Sequence, residues 1–369
     1  MTTGYIDFDT HLYEPISVWK DYIDPKFRDR APEWIEKDGK LMLNLDEKLF
    51  PTAPGHGGYA KIYAEDAKVD RSGNDPVSRL GYMDGKGGAD VQVIYPTLGL
   101  AGFPNSVRDA DLAAAFARAY NRYISEFTAT DRRRLKGTML LPANHPEAAA
   151  EEMRWAHKHA GLNLAVLTPT PPNDVPWSAL EYDPMWQAAD ELGITVLFHE
   201  TTAGCPSNAI GIHRYRANWP MLYLCTHVLE AQLAFADMIL GGTLAKYPNL
   251  RVGAAEAHVH WLPGWLALMD QNFGMGTNIY KDQSLSEREL KMKPSEYFRR
   301  QCVLAAFPED TMIAEAMAAA PESIVICSDW PHPIAEEAAA NGIQAIETRD
   351  ELTAAQKQAL LVGNAQRFL

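Results

Sequence analysis

The sequence predicts an α/β fold of the TIM type, a single (β/α)8 barrel. Eight short apolar runs alternate with longer amphipathic stretches, the order expected of a parallel sheet joined by right-handed helical crossovers. No Gly-x-Gly-x-x-Gly follows the first run, so an open dinucleotide-binding sheet lacks its main signature. A chain of 369 residues could hold two average domains, but it also suits one barrel of roughly 250 residues carrying insertions.

The candidate strands, in order, are Tyr5–Asp9, Val91–Tyr95, Gly137–Leu141, Leu164–Thr168, Thr195–His199, Val252–Glu256, Cys302–Ala305 and Ile324–Ser328. They are rich in Val, Ile and Leu, and several lack polar alternation, as strands covered on both faces do. Helical patterns fall at about 109–129, 146–160, 183–192, 221–246, 262–272, 309–319, 335–345 and 352–361. Asp109 and Glu147 stand at helix starts, Gly161 and Gly193 at helix ends. Two segments exceed a minimal barrel, residues 21–85 and 273–300. Both leave from the C-terminal ends of strands, where barrel enzymes build their sites. They are read as insertions in one domain spanning 1–369, either plain surface loops or a lid over substrate.

Composition narrows the function. With 34 Lys+Arg against 48 Asp+Glu, the formal charge is −14, which disfavours general nucleic-acid binding. The chain contains no apolar run of the ~18–20 residues a membrane helix needs. Residues 1–20 carry Asp7, Asp9, His11 and Glu14, unlike a cationic and then apolar leader. Cys205, Cys225, Cys302 and Cys327 form no Cys-x-x-Cys pair and read as reduced cysteines of a cytoplasmic protein. A small-molecule enzyme is the expectation.

The strongest local signal is Ile6-Asp7-Phe8-Asp9-Thr10-His11. Strand alternation would place Asp7, Asp9 and His11 on one side, where burial is costly without a cation or partners. The alternative is a capping or salt-bridge cluster at the strand end. His199 ends the fifth run, and Asp329 directly follows the eighth in Ser328-Asp329-Trp330-Pro331-His332-Pro333. Taken singly, His199 also reads as a satisfied structural histidine and Asp329 as a turn or cap. Jointly, Asp9, His11, His199 and Asp329 fall on one barrel rim. Two carboxylates and two imidazoles suit one divalent ion, Zn2+ or Mn2+, with positions open for water or substrate. The sixth run supplies Glu256-Ala257-His258-Val259-His260, which alternation would point at the same mouth. Glu256 or His258 is the candidate acid/base, the alternative being an ion pair for Glu256 and loop positions for the histidines. His227 opens a helical run and reads equally as support for the site or as structure.

At this point the chain resembles the amidohydrolase superfamily. The first motif has the register of that family's Asp-x-His-x-His signature, with Asp9 where the first His usually stands. Further stretches resemble its amidohydrolase-2 branch, the relatives of aminocarboxymuconate-semialdehyde decarboxylase and γ-resorcylate decarboxylase. These stretches are Asp75–Arg79 on to Pro96, Tyr247–Arg251, Trp261–Pro263, Tyr297–Gln301, Ser328–Pro333 and Gly363–Ala365. The resemblance implies a metal on Asp9, His11, His199 and Asp329. The extra carboxylate favours a harder ion such as Mn2+ over Zn2+. The family's decarboxylases often carry a His at the end of strand six; here Glu256 or Ala257 holds that place, so Glu256 or His258 takes over the role.

The activity implied is non-oxidative decarboxylation of a small aromatic or unsaturated carboxylic acid, with Asp329 delivering the proton and Glu256 or His258 relaying it. The alternative is hydrolysis of an amide, lactone or C–C bond by a metal-activated water. Self-association as a homodimer is expected from the resemblance.

Overall fold

The structure is a computed structural model and describes residues 4–46, 48–51, 72–101, 103–200, 209–215, 218–276, 288–332 and 336–369. Among these residues the strands are β1 (Tyr5–Leu12), β2 (Glu33–Lys37), β3 (Lys40–Leu45), β4 (Lys48–Pro51), β5 (Ala89–Pro96), β6 (Leu135–Leu140), β7 (Leu164–Leu167), β8 (Thr195–Phe198), β9 (Arg251–Ala254), β10 (Cys302–Ala306) and β11 (Ile324–Ile326). The runs expected to be covered on both faces are so covered: every residue of β1, β7, β8, β10 and β11 is buried.

Eight of these strands form one sheet in the order β1-β5-β6-β7-β8-β9-β10-β11, each pair parallel. The two ends of the sheet meet just beyond β11. Thr10 bridges Trp330 in parallel, His11 N–H donates to Trp330 O at 2.7 Å, and Asp329 N–H donates to Asp9 O at 2.9 Å. The Asp7 carboxylate adds two bonds at the seam, accepting from Ser328 N at 2.9 Å and Ser328 Oγ at 2.6 Å. These bonds satisfy main-chain groups that an open sheet edge would leave bare, and the barrel is nearly closed.

The helices follow their local signals. Asp109 caps Ala110–Thr128, its carboxylate accepting from Asp111 N and Leu112 N. That helix buries Leu112, Phe116, Tyr120 and Ile124, four residues apart each time, against the barrel. Gly193 ends Asp183–Leu192 in a left-handed conformation (φ 67°), a backbone glycine adopts without a Cβ clash. No described helix is long and apolar enough to cross a membrane.

The two expected insertions contain regular elements among their described residues. Residues 21–85 include an antiparallel sheet, β2-β3-β4, and the helix Pro76–Tyr82. Residues 273–300 begin inside the helix Leu262–Gly276 and end in the helix Pro294–Gln301. Residues 52–71 and 277–287 lie outside the described residues, as does Cys205.

Candidate metal centre and active site

Asp9 and His11 come from β1, His199 follows β8, Glu256 lies two residues beyond β9, and Asp329 lies three beyond β11. All of these stand at the carboxyl ends of barrel strands. Asp9, His11, His199 and Asp329 are 0–3% exposed. Their side-chain atoms converge: His11 Nε2 lies 3.1 Å from His199 Nε2, 3.3 Å from Asp9 Oδ1 and 3.2 Å from Asp329 Oδ1. His199 Nε2 lies 3.4 Å from Asp9 Oδ2.

The other nitrogen of each ring explains the orientation. His11 Nδ1 is 3.0 Å from Pro96 O and His199 Nδ1 is 2.9 Å from Glu200 O. A carbonyl only accepts, so both Nδ1 atoms carry hydrogen and a neutral ring then turns a lone pair inward at Nε2. Both oxygens of Asp9 and Oδ1 of Asp329 are buried with no hydrogen-bond donor. Acceptors gathered without donors are expensive in a dry interior, and a divalent cation satisfies such a set where apolar packing does not. Two carboxylates and two imidazoles without a thiolate fit Mn2+ or Zn2+.

The electrostatics agree. Burial pushes the Asp9 carboxyl up, but His199 and His11 together outweigh it and hold it below the usual range. Burial pulls His11 and His199 down, and the neighbouring carboxylates more than reverse this. The pocket draws positive charge.

Asp7 does not join the group. The register against β5 slips between Asp7 and Thr10, so simple alternation fails there, and the Asp7 carboxylate is spent on Ser328 and Tyr5. Burial pushes Asp7 up to about 7. Alternation also fails beyond β9, which stops at Ala254 rather than Glu256. Glu256 (φ 50°) and His258 (φ 53°) take left-handed backbone, as does Asp329 (φ 61°). Such geometry costs about 1–3 kcal/mol at a non-glycine residue and collects at functional sites.

The consequence is that Glu256, His258 and His260 diverge. The Glu256 carboxylate lies 3.1 Å from His227 Nε2, His258 turns to Asp310, and the exposed His260 sits beside Thr311. Burial raises the Glu256 carboxyl, yet contact with His227 overrides it and leaves it well below the usual value. Asp329 shifts oppositely, raised by burial and then by the Glu256 charge. Two neighbouring carboxyls pushed apart in this way suit a proton carrier beside a permanent anion.

Several neighbours carry no strong sequence signal. His332 stacks on the His11 ring at 4.0 Å, with its Nδ1 2.7 Å from Asp329 Oδ1. Its only sequence pointer is its place three residues after Asp329. Tyr95, opposite His11 in the β1–β5 register, packs 5.0 Å from the His199 ring, and its hydroxyl has no partner among the described residues. Tyr223 stacks on His227 at 4.2 Å. Tyr13 and Trp330 are buried. Arg214 is exposed beside Tyr215, and Arg216 lies outside the described residues.

With this geometry in hand, comparison with known proteins is informative. The family model described as Amidohydrolase matches residues 6–369. The chain is 23% identical over 370 residues to a 2-amino-3-carboxymuconate-6-semialdehyde decarboxylase of Dictyostelium discoideum, covering 99% of this chain and 91% of that one. Among solved structures, a 5-carboxyvanillate decarboxylase from Sphingomonas paucimobilis superposes with a TM-score of 0.70 at 21% identity, covering 100% and 99% of the two chains. A 5-carboxyvanillate decarboxylase from Novosphingobium aromaticivorans, complexed with manganese and 4-hydroxy-3-methoxy-5-nitrobenzoic acid, gives 0.71 at 16% identity, covering 100% and 96%. At these identities the structural likeness speaks for the barrel.

Proposed function

We propose, on the premise that the chain belongs to the amidohydrolase family, that it is a divalent-metal-dependent carboxy-lyase acting on a small aromatic or unsaturated carboxylic acid. The observation that carries this reading is the buried cluster of Asp9, His11 and His199, which Asp329 joins through His11, with carboxylate oxygens that lack any donor. The decarboxylase names of the relatives, and the manganese in one of them, support it.

The four residues would hold the ion, Mn2+ ahead of Zn2+ because the second carboxylate hardens the donor set. When bound, that ion supplies a Lewis acid that orients the substrate carboxylate, or a neighbouring hydroxyl, and stabilises developing oxyanion charge. Asp329 delivers a proton to the carbon bearing the carboxylate. As the C–C bond breaks, its electron pair stays on that carbon and takes up the proton, and CO2 departs. Asp329 is placed for this at the rim beside Glu256, whose negative charge favours a proton on its neighbour. Glu256, kept anionic by His227, favours a proton on the neighbouring Asp329 carboxyl, and His258 lies behind Glu256. Buried Tyr95 helps keep bulk water from the reacting carbon.

We also read the protein as a cytoplasmic homodimer that carries insertions at 21–85 and 273–300. Free, buried Cys225, Cys302 and Cys327 support the reducing compartment, and the family resemblance supports self-association.

The test is incubation of Mn2+-loaded protein with 5-carboxyvanillate, 2,6-dihydroxybenzoate and 2-amino-3-carboxymuconate 6-semialdehyde, measuring CO2. Release of one CO2 per acid consumed, abolished by chelation, is the expected result. Uptake of water with formation of two fragments would replace decarboxylation with hydrolysis.

A further inference from the structure

Behind Glu256 lies a second set of side chains. Asp310, buried at 2% exposure in the turn after β10, accepts from His258 Nδ1 at 2.7 Å through Oδ1 and from Val259 N at 3.3 Å through Oδ2. His258 Nε2 lies 3.4 Å from the Tyr223 hydroxyl, which donates to the Glu256 carbonyl at 3.2 Å. A chain of contacts therefore runs from Asp310 through His258 and Tyr223 to the backbone of Glu256. Its ends are 54 residues apart in sequence, and it spans two left-handed residues, Glu256 and His258.

We propose that Asp310 is a positioning residue for Glu256: by clamping the His258 imidazole, it secures the Tyr223 latch and so holds the Glu256–His258 turn in the conformation that sets the Glu256 carboxylate against His227. The inference rests on the reading of Glu256 as the anion that serves Asp329.

The hydrogen count supports it. Tyr223 has one hydroxyl hydrogen, and the Glu256 carbonyl takes it. The hydroxyl oxygen can then only accept from His258, so Nε2 must carry hydrogen. Nδ1 must carry one too, because a carboxylate faces it. All four groups are satisfied together only when His258 is an imidazolium. Its charged and titratable neighbours fit that state: Asp310 and Glu309 from the turn after β10, Glu256 from its own segment, Tyr223 from the helix Trp219–Tyr223, and His260 alongside. Burial pulls His258 down, and the three carboxylates raise it above the usual value. His260 does not compete as a ligand partner for a second ion, since its Nε2 is turned to Thr311 and the Asp310 oxygens already hold donors.

The test uses the full-length metal-loaded protein with Asp310→Asn, Asp310→Glu and Tyr223→Phe. The 15N resonances of the His258 ring should report a doubly protonated imidazole at pH 7 in the wild type. In Asp310→Asn its titration should move at least about one pH unit lower. Turnover (kcat) should fall about 10- to 100-fold, as when an orienting carboxylate behind a histidine is lost, with KM nearly unchanged and one metal ion retained. The alkaline limb of the kcat profile should shift down with the resonance, and Asp310→Glu should recover part of the loss. Tyr223→Phe, which leaves the dyad intact but removes the acceptor at Nε2, should lower kcat and move the His258 titration down by less than Asp310→Asn does. A neutral His258 ring at pH 7 in the wild type, or wild-type kcat and pH profile in Asp310→Asn, would overturn the proposal. If no acid is decarboxylated, the reading of the enzyme fails, while the ring resonances still decide the latch.

Discussion

His11 and His199 face each other through their Nε2 atoms across 3.1 Å, each ring held from behind by a main-chain carbonyl. Two neutral imidazoles so arranged repel unless a cation lies between them and the nearby carboxylates. Removal of metal by a chelator should therefore destabilise the protein. An ion present at a hundred times its Kd contributes about 2.7 kcal/mol. Thermal unfolding with and without EDTA should show the shift, and His199→Ala should abolish both the shift and bound metal. An EDTA-insensitive midpoint in metal-loaded protein would count against the site.

Glu256 sits beside Asp329 but pairs with His227. Glu256→Gln should lower kcat about 100-fold or more while leaving the metal stoichiometry unchanged. Parallel measurement of turnover and metal content decides it: an equal loss of both would make Glu256 a ligand.

Arg79 is fully buried in the helix Pro76–Tyr82 and donates to Gly73 O, Thr10 Oγ1, Gln92 Oε1 and His11 O. Its guanidinium lies over Trp330, which stacks on Tyr82. Arg79→Ala leaves several buried acceptors bare and should cost about 3 kcal/mol in urea unfolding. Arg79→Lys should recover little, because one ammonium cannot span four acceptors around a plane. A wild-type urea midpoint in the alanine variant would show that the network contributes nothing.

Glu14 is buried, accepting from Gly99 N at 2.6 Å and Thr97 N at 2.9 Å, and burial raises its carboxyl to about 7. The folded protein therefore binds a proton more tightly at Glu14 than the unfolded chain does. Its contribution is fully present below the unfolded value of ~4.5 and is lost as pH rises through about 7, at most about 3 kcal/mol. Glu14→Gln should be less stable than wild type at pH 5, where one amide acceptor is lost, yet vary less between pH 5 and 8. Urea midpoints at the two pH values check this; equal slopes would remove Glu14 as the source.

All eight barrel strands were legible because strands buried on both faces read as plain apolar runs. The small sheet was not: Glu33–Lys37 is largely polar and exposed. A signal was nevertheless present in Lys37-Asp38-Gly39-Lys40, where Asp38 and Gly39 both take positive φ between paired Lys37 and Lys40. At the rim, Asp9, His11, His199 and Asp329 stood out because each ends an apolar run. Asp310, His332 and Tyr223 did not, since their directions are set by turns and by packing between distant segments. The common orientation expected of Glu256, His258 and His260 failed because β9 ends early and left-handed backbone replaces alternation.

The most direct measurement is anomalous scattering at the manganese edge from crystals of the Mn2+-loaded protein. The expected result is a single peak bonded by Asp9, His11, His199 and Asp329. A peak bonded by other residues, or none within reach of His11 and His199 Nε2, would contradict the account.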